Sequence, residues 1–219
     1  MQSAPGRRYA EIVSTRKLGF LEPLAVFGGI IAYIWRLRFT HPWFVLPIVS
    51  FMIASHVARR ERAPALGFRV THLGDCLRRF GPVLIALAFA MCAGGLLLGT
   101  LRPVGLAYAA GTLALYLPWG LLQQYLMNAY FLKRFDKVLS PRAAGLTTAV
   151  LFSAVHSPNW FLMLVTPAAG YGAIQVYRRY SNLYFLGIAH AVIGTLLFLV
   201  VPDSVSHHLI VGPGWSLGH

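Results

Sequence analysis

Gln123, Gln124, Asn128, His156, Asn159 and His190 are polar side chains inside stretches otherwise apolar enough to cross a membrane. Hydrocarbon offers no water to bond to, so such groups are costly there and turn toward a bundle interior or a cavity. An imidazole that stays neutral in a partly wet cavity has a pKa suited to general-base work. Glutamine and asparagine also act as interhelical hydrogen-bond glue, at about 0.6 kcal/mol per bond, and taken singly Gln123, Gln124 or Asn128 could be only that. Two histidines and a glutamine pair at one depth point instead to a shared site.

Depth follows from counting along helices. Gln123 lies ten residues before Lys133 and His190 about ten after the Arg179–Tyr180 pair, so each sits about 15 Å from the basic end of its helix. His156 follows Arg142 by 14 residues, or about 21 Å. Gln124 and Asn128 share one helix face, as do Phe152 and His156, because residues four apart are neighbours on a helix. Gly187, His190 and Gly194 share another, whose small residues admit a close neighbour. Tyr108, Tyr116, Trp43 and Trp160 read as interface belt or packing residues. His41 and His56 lie near span ends and read as interfacial. His207, His208 and His219 belong to the tail and receive no role.

The chain of 219 residues is 57% hydrophobic and only 11% charged, where soluble domains carry roughly 25%. That deficit marks a membrane protein, and with no alternating ten-residue pattern to suggest strands the expected fold is an all-α, polytopic membrane bundle, one domain over 1–219. Apolar stretches at 20–35, 43–57, 82–100, 104–132, 143–157, 159–177 and 182–201 predict about seven spans, with Pro118 kinking or splitting the fourth. The tail after Pro202 is too short and polar for an eighth. With residues 1–19 cytoplasmic and the spans alternating, 16 of the 19 lysines and arginines face the cytoplasm and only Arg36, Arg38 and Arg102 do not. This bias supports both count and orientation, and it assigns the net charge of +13 to topology rather than to nucleic acid. No cleavable signal peptide is expected. Cys76, in a basic loop, and Cys92, in an apolar span, do not form a disulfide framework. Few ionisable groups line a path and no inverted repeat is visible, which argues against a transporter.

The order Gln123-Gln124, then Phe152-Ser-Ala-Val-His156, then His190 resembles the CAAX protease and bacteriocin-processing family of intramembrane proteases, over about 104–202. That family carries Glu-Glu-x-x-x-Arg, Phe-x-x-x-His and His-x-x-x-Asn or Asp on successive core helices. Phe152 and His156 match the second motif, followed by a family-like Ser157-Pro158-Asn159, and His190 opens the third. Gln123 and Gln124 stand where the family has its glutamates, Asn128 where it has arginine, and Gly194 where it has Asn or Asp. Loss of the acids together with the arginine is self-consistent, since a buried arginine would otherwise have no partner.

The resemblance implies a CAAX-protease-like core and an integral protein of the bacterial inner membrane. It also implies a membrane-associated peptide or lipidated substrate, with bilayer lipids as the other partner. Gln123, Gln124, His156 and His190 take the catalytic positions, and Asn128, Phe152, Asn159 and Gly194 the substrate-binding ones. A carboxamide cannot take a proton as a carboxylate does, so the family base is absent. The only glutamates, Glu11, Glu22 and Glu61, lie outside the motifs. One reading is a hydrolase with His156 or His190 as base and the glutamines orienting water or substrate. The other is a proteolytically inactive relative that binds a membrane segment, lipid or prenyl chain in the same cavity. No cofactor is expected. A metal at His156 and His190 ranks last, because two histidines without a carboxylate or thiolate are a poor ligand set.

Overall fold

A computed structural model describes the backbone of residues 5–217 and the side chains of residues 19–215. The side chains of most of the expected cytoplasmic segment 1–19, Glu11 among them, and His219 lie outside the described residues. Helices run over Pro5–Ala32 (α1), Val45–Ala58 (α2), Leu73–Leu97 (α3), Leu106–Gln124 (α4), Pro141–Ala154 (α5), Trp160–Tyr180 (α6) and Leu183–Val200 (α7), with no strand among the described residues. Short helical turns at Asp203–Ser206 and Gly214–Leu217 follow.

Among the described residues three helical stretches are long and apolar enough to cross a membrane, Gly19–Thr40, Leu73–Leu97 and Leu183–Val200, and Pro42–Ala58 is a shorter apolar helix. This is fewer than the seven expected. The 14-residue α5 is only about 21 Å long, and α6 ends in Arg178 and Arg179. The chain nonetheless runs back and forth between two ends. One end gathers Glu22, Ser55, Glu61, Arg134 and the α6–α7 turn, where Arg69 donates to the Tyr180 carbonyl at 3.0 Å. The other gathers Arg38, Arg102, Ser157 and the tail, where Arg102 Nε donates to the Phe198 carbonyl at 2.6 Å. Large apolar side chains face outward, Leu97 and Leu106 nearly nine-tenths exposed, an arrangement suited to lipid and not to water.

Helix starts depart from the hydropathy boundaries because apolarity marks where lipid-facing residues begin, not where winding begins. The third helix starts at Leu73 rather than 82 and carries Pro82 inside it, so Cys76 is a buried helix residue and not a loop residue. Local signals do set other starts: Ser140, Asn159 and Asn182 each accept a backbone N–H from three residues on, at 3.3, 3.1 and 2.9 Å, as N-caps do. Pro118 does not split α4. The winding changes later, to a π-helix over Tyr125–Leu132, a form frequent near functional sites. Met127 through Leu132 are all buried, and Leu126, Met127 and Phe131 line a cavity.

The most intimate helix pair is α4 with α7. A Cβ on Gly120 would stand 2.9 Å from the Gly187 carbonyl oxygen, and one on Gly187 3.0 Å from Leu121 Cα. Both obstacles are backbone, so the helices would have to separate. Gly120→Ala is therefore expected to cost about 1–3 kcal/mol. Gly111→Ala, whose Cβ meets nothing within 4 Å, should be neutral or stabilise by about 0.5–1 kcal/mol. Thermal unfolding in detergent separates the two; equal effects would contradict the packing.

Candidate active site

α4, α5, α6 and α7 wall a cavity of about 480 Å³, joined by Ile30 from α1 and Met91 from α3. Gln123, Gln124, His156 and His190 all line it, with Phe152 and Gly194. Among the described residues no Asp, Glu, Lys or Arg lines it. The Phe152 ring packs edge-on against both His156 and His190, with ring centroids 5.0 and 6.3 Å apart. Gly194 makes room for Tyr116, whose ring a Cβ there would meet at 2.8 Å. Tyr116 is thus a wall residue and not merely belt or packing.

The hydrogen-bond partners set the tautomer of each histidine. Asn128 Nδ2 donates to Gln124 Oε1 at 2.9 Å, which orients the Gln124 amide, and Gln124 Nε2 then donates to His190 Nδ1 at 3.2 Å. An accepting Nδ1 leaves the proton of the neutral ring on Nε2. His156 is the reverse. Its Nδ1 lies 2.6 Å from the Phe152 carbonyl, which can only accept, so Nδ1 donates and Nε2 keeps a lone pair. One cavity therefore holds one imidazole with a basic nitrogen free and one with an N–H donor free. Gln123 Oε1 is buried without a partner.

Asn128 and Asn159, expected among the substrate contacts, do not line the cavity. Asn128 sits behind Gln124 and steers it. Asn159 caps α6 and donates to the carbonyls of Ser206 and Ile210 at 2.8 and 3.1 Å, pinning the tail. The tail, assigned no role from sequence, contributes Leu209 and Val211 to the cavity wall. The apolar triplet Leu209-Ile210-Val211 beside Gly212 is the signal that marks it. Among the described residues no group of three or more His, Cys, Asp or Glu comes together that could hold a metal.

Sequence reasoning also passes over a buried ionic cluster next to the site. Arg134 is 1% exposed. Its Nε donates to Glu22 at 3.0 Å, Nη1 reaches Glu61 at 2.9 Å and Nη2 donates to Ser55 Oγ at 3.0 Å. Arg59 pairs with Glu22 as well. His56 is not interfacial but buried here, its Nδ1 donating to Glu61 at 2.7 Å while Nε2 accepts from the Tyr125 hydroxyl at 2.8 Å. Burial pushes the Glu61 carboxyl up, but the His56 hydrogen bond and the Arg134 charge outweigh it and hold it below the usual carboxylate range. Tyr125 directly follows Gln124, so this cluster anchors the chain at the site's edge. The signal was present: a membrane glutamate, Glu22, needs a buried cation.

Residues 105–196, under half of the chain, match the family model of the Rce1-like type II CAAX prenyl endopeptidases, which bears out the resemblance read from the motifs. No curated protein and no solved structure matches the chain.

Proposed function

We propose that this chain, Rce1-like over residues 105–196, is an intramembrane endopeptidase that hydrolyses a membrane-associated, lipidated peptide with histidine in place of glutamate as base. The observation that carries the reading is the opposed hydrogen bonding of two imidazoles on one cavity, with His190 Nδ1 on the Gln124 amide nitrogen and His156 Nδ1 on the Phe152 carbonyl. His156 Nε2 takes a proton from water, whose oxygen attacks the peptide carbonyl. The carbonyl oxygen gains negative charge and accepts a hydrogen bond from His190 Nε2–H, the donor such charge needs. The adduct collapses, the C–N bond breaks, and the proton on His156 passes to the leaving amine. Gln123 Oε1 accepts the second proton of the water in a hydrogen bond, and Gln124 with Asn128 keep His190 in its donating tautomer. The apolar remainder of the cavity takes the lipid chain.

The protein is read as an integral protein of the bacterial inner membrane, with the seven helices as spans and the Arg134 end cytoplasmic. Cysteine-accessibility labelling at positions 102 and 137 should report opposite sides; the same side would overturn the topology. A cavity wall without a carboxylate favours the competing reading, a relative that holds a membrane segment, lipid or prenyl chain without cutting it. Incubating the purified protein in liposomes with a farnesylated CAAX peptide decides: release of the C-terminal tripeptide supports the endopeptidase, and peptide bound but intact supports the binder.

A further inference from the structure

A threonine inside a helix commonly satisfies its hydroxyl on the carbonyl four residues back. Thr40 and Thr112 do so, donating to Arg36 and Tyr108 carbonyls at 3.3 and 3.0 Å. Thr148 and Thr166 do not: each Oγ1 is buried without a partner, and both residues line the cavity. Thr195, also unpartnered, does not line it. Thr148 is only 1% exposed, and a buried hydroxyl left unpaired is costly.

The two hydroxyls stand at one level. α5 and α6 form an antiparallel hairpin in which Ser153 Oγ donates to the Met163 carbonyl at 2.8 Å. Thr148 lies five residues before Ser153 and Thr166 three after Met163, so their axial positions differ by about 3 Å. Thr148 and Phe152 lie four apart on one face of α5, and His156 follows four residues later in the turn just past the helix end. The hydroxyl pair is thus separated from the His156 level by two intervals of four, about 12 Å. With no charged side chain in the wall, a complementary group at this level is uncharged.

We propose that Thr148 and Thr166 form a second hydrogen-bonding station, which donates to a carbonyl oxygen of the ligand about 12 Å from the level of His156. The proposal rests on the cavity being the ligand site. The carbonyl belongs either to the peptide backbone or to the ester of a bilayer lipid.

The test uses the Thr148→Val/Thr166→Val double variant of the full chain, which keeps near-native side-chain shape and removes both hydroxyls. An uncleavable farnesylated peptide, its scissile amide reduced to a methylene-amine, is titrated in nanodiscs of ester-linked and of ether-linked lipid. A roughly tenfold loss of peptide affinity in both lipids, at unchanged thermal stability, supports a peptide carbonyl. Unchanged peptide affinity with loss of the ester lipid that co-purifies with the wild type supports a lipid carbonyl. Unchanged affinity and unchanged lipid retention overturn the station, as does a lowered melting temperature, which would make the hydroxyls structural. Failure of the endopeptidase reading shows separately, in the wild type, as bound but uncut substrate.

Discussion

Alanine at position 156 is expected to lower turnover of a lipidated peptide about 10²–10⁴-fold, the range for loss of a general base, with little effect on folding. Among the described residues the His156 side chain bonds to the Phe152 carbonyl of the adjoining α5, so its removal breaks no hydrogen bond between helices. The rest of the wall, and the Asn128–Gln124–His190 relay, stay in place. His190→Ala should fall in a similar range, about 10²–10³-fold, as loss of an oxyanion donor does. The two variants differ in one respect: His190→Ala leaves the Gln124 amide N–H without its partner and should cost some stability as well. Steady-state cleavage rates with matched melting curves check both. Wild-type turnover by His156→Ala would remove histidine from the chemistry.

The largest effect on stability is expected at Arg134. Arg134→Leu leaves the Glu22 and Glu61 carboxylates beside a buried apolar residue, and breaking a buried ion pair from one side typically costs about 3–5 kcal/mol. Both side chains are only 11% exposed, so water cannot take over. Lysine is a poor substitute, since a single ammonium cannot match the fork that serves Glu22, Glu61 and Ser55 at once. Adding Glu22→Gln and Glu61→Gln to Arg134→Leu should recover much of the loss, because the buried carboxylates then carry no charge and the partners they release, Arg59 and Lys137, are exposed enough to be solvated. The pH dependence has a definite sign. A carboxyl held below its unfolded value stabilises the fold above that value and ceases to as pH falls through the folded one. The wild type should therefore lose stability on acidification below about pH 4.3, and Arg134→Leu should lose less. Melting temperatures across pH, for the single and triple variants, test this.

How far the sequence speaks depends on which physical term dominates at each residue. The apolar runs are legible because lipid contact leaves little choice of residue, and Ser140, Asn159 and Asn182 announce their helices by capping. Gln123, Gln124, His156 and His190 are legible as a group because neutral polar side chains in apolar helices stand out, and they line one cavity. Arg134 was not, because a basic residue beside a span end reads as a topology marker. Only the fold brings Glu22, from more than a hundred residues away, to within 3.0 Å of it. His56 was misplaced for the same reason. The π-helical turn at Tyr125–Leu132 leaves no mark in residue type, since its residues are as apolar as those of the α-helix it continues. The tail's share of the wall was hidden by its polar flanks, and Tyr116 by the habit of tyrosines at interfaces.

In the proposed reaction an imidazole nitrogen, not a carboxylate, takes the proton from water. The most direct measurement is the turnover of His156→Ala with and without added imidazole, which fits the space the missing ring leaves. Cleavage restored in proportion to neutral imidazole, with no rescue of His190→Ala at the same concentration, is the predicted result. Full activity of His156→Ala without imidazole, or no cleavage by the wild type under any condition in which the peptide binds, would contradict it.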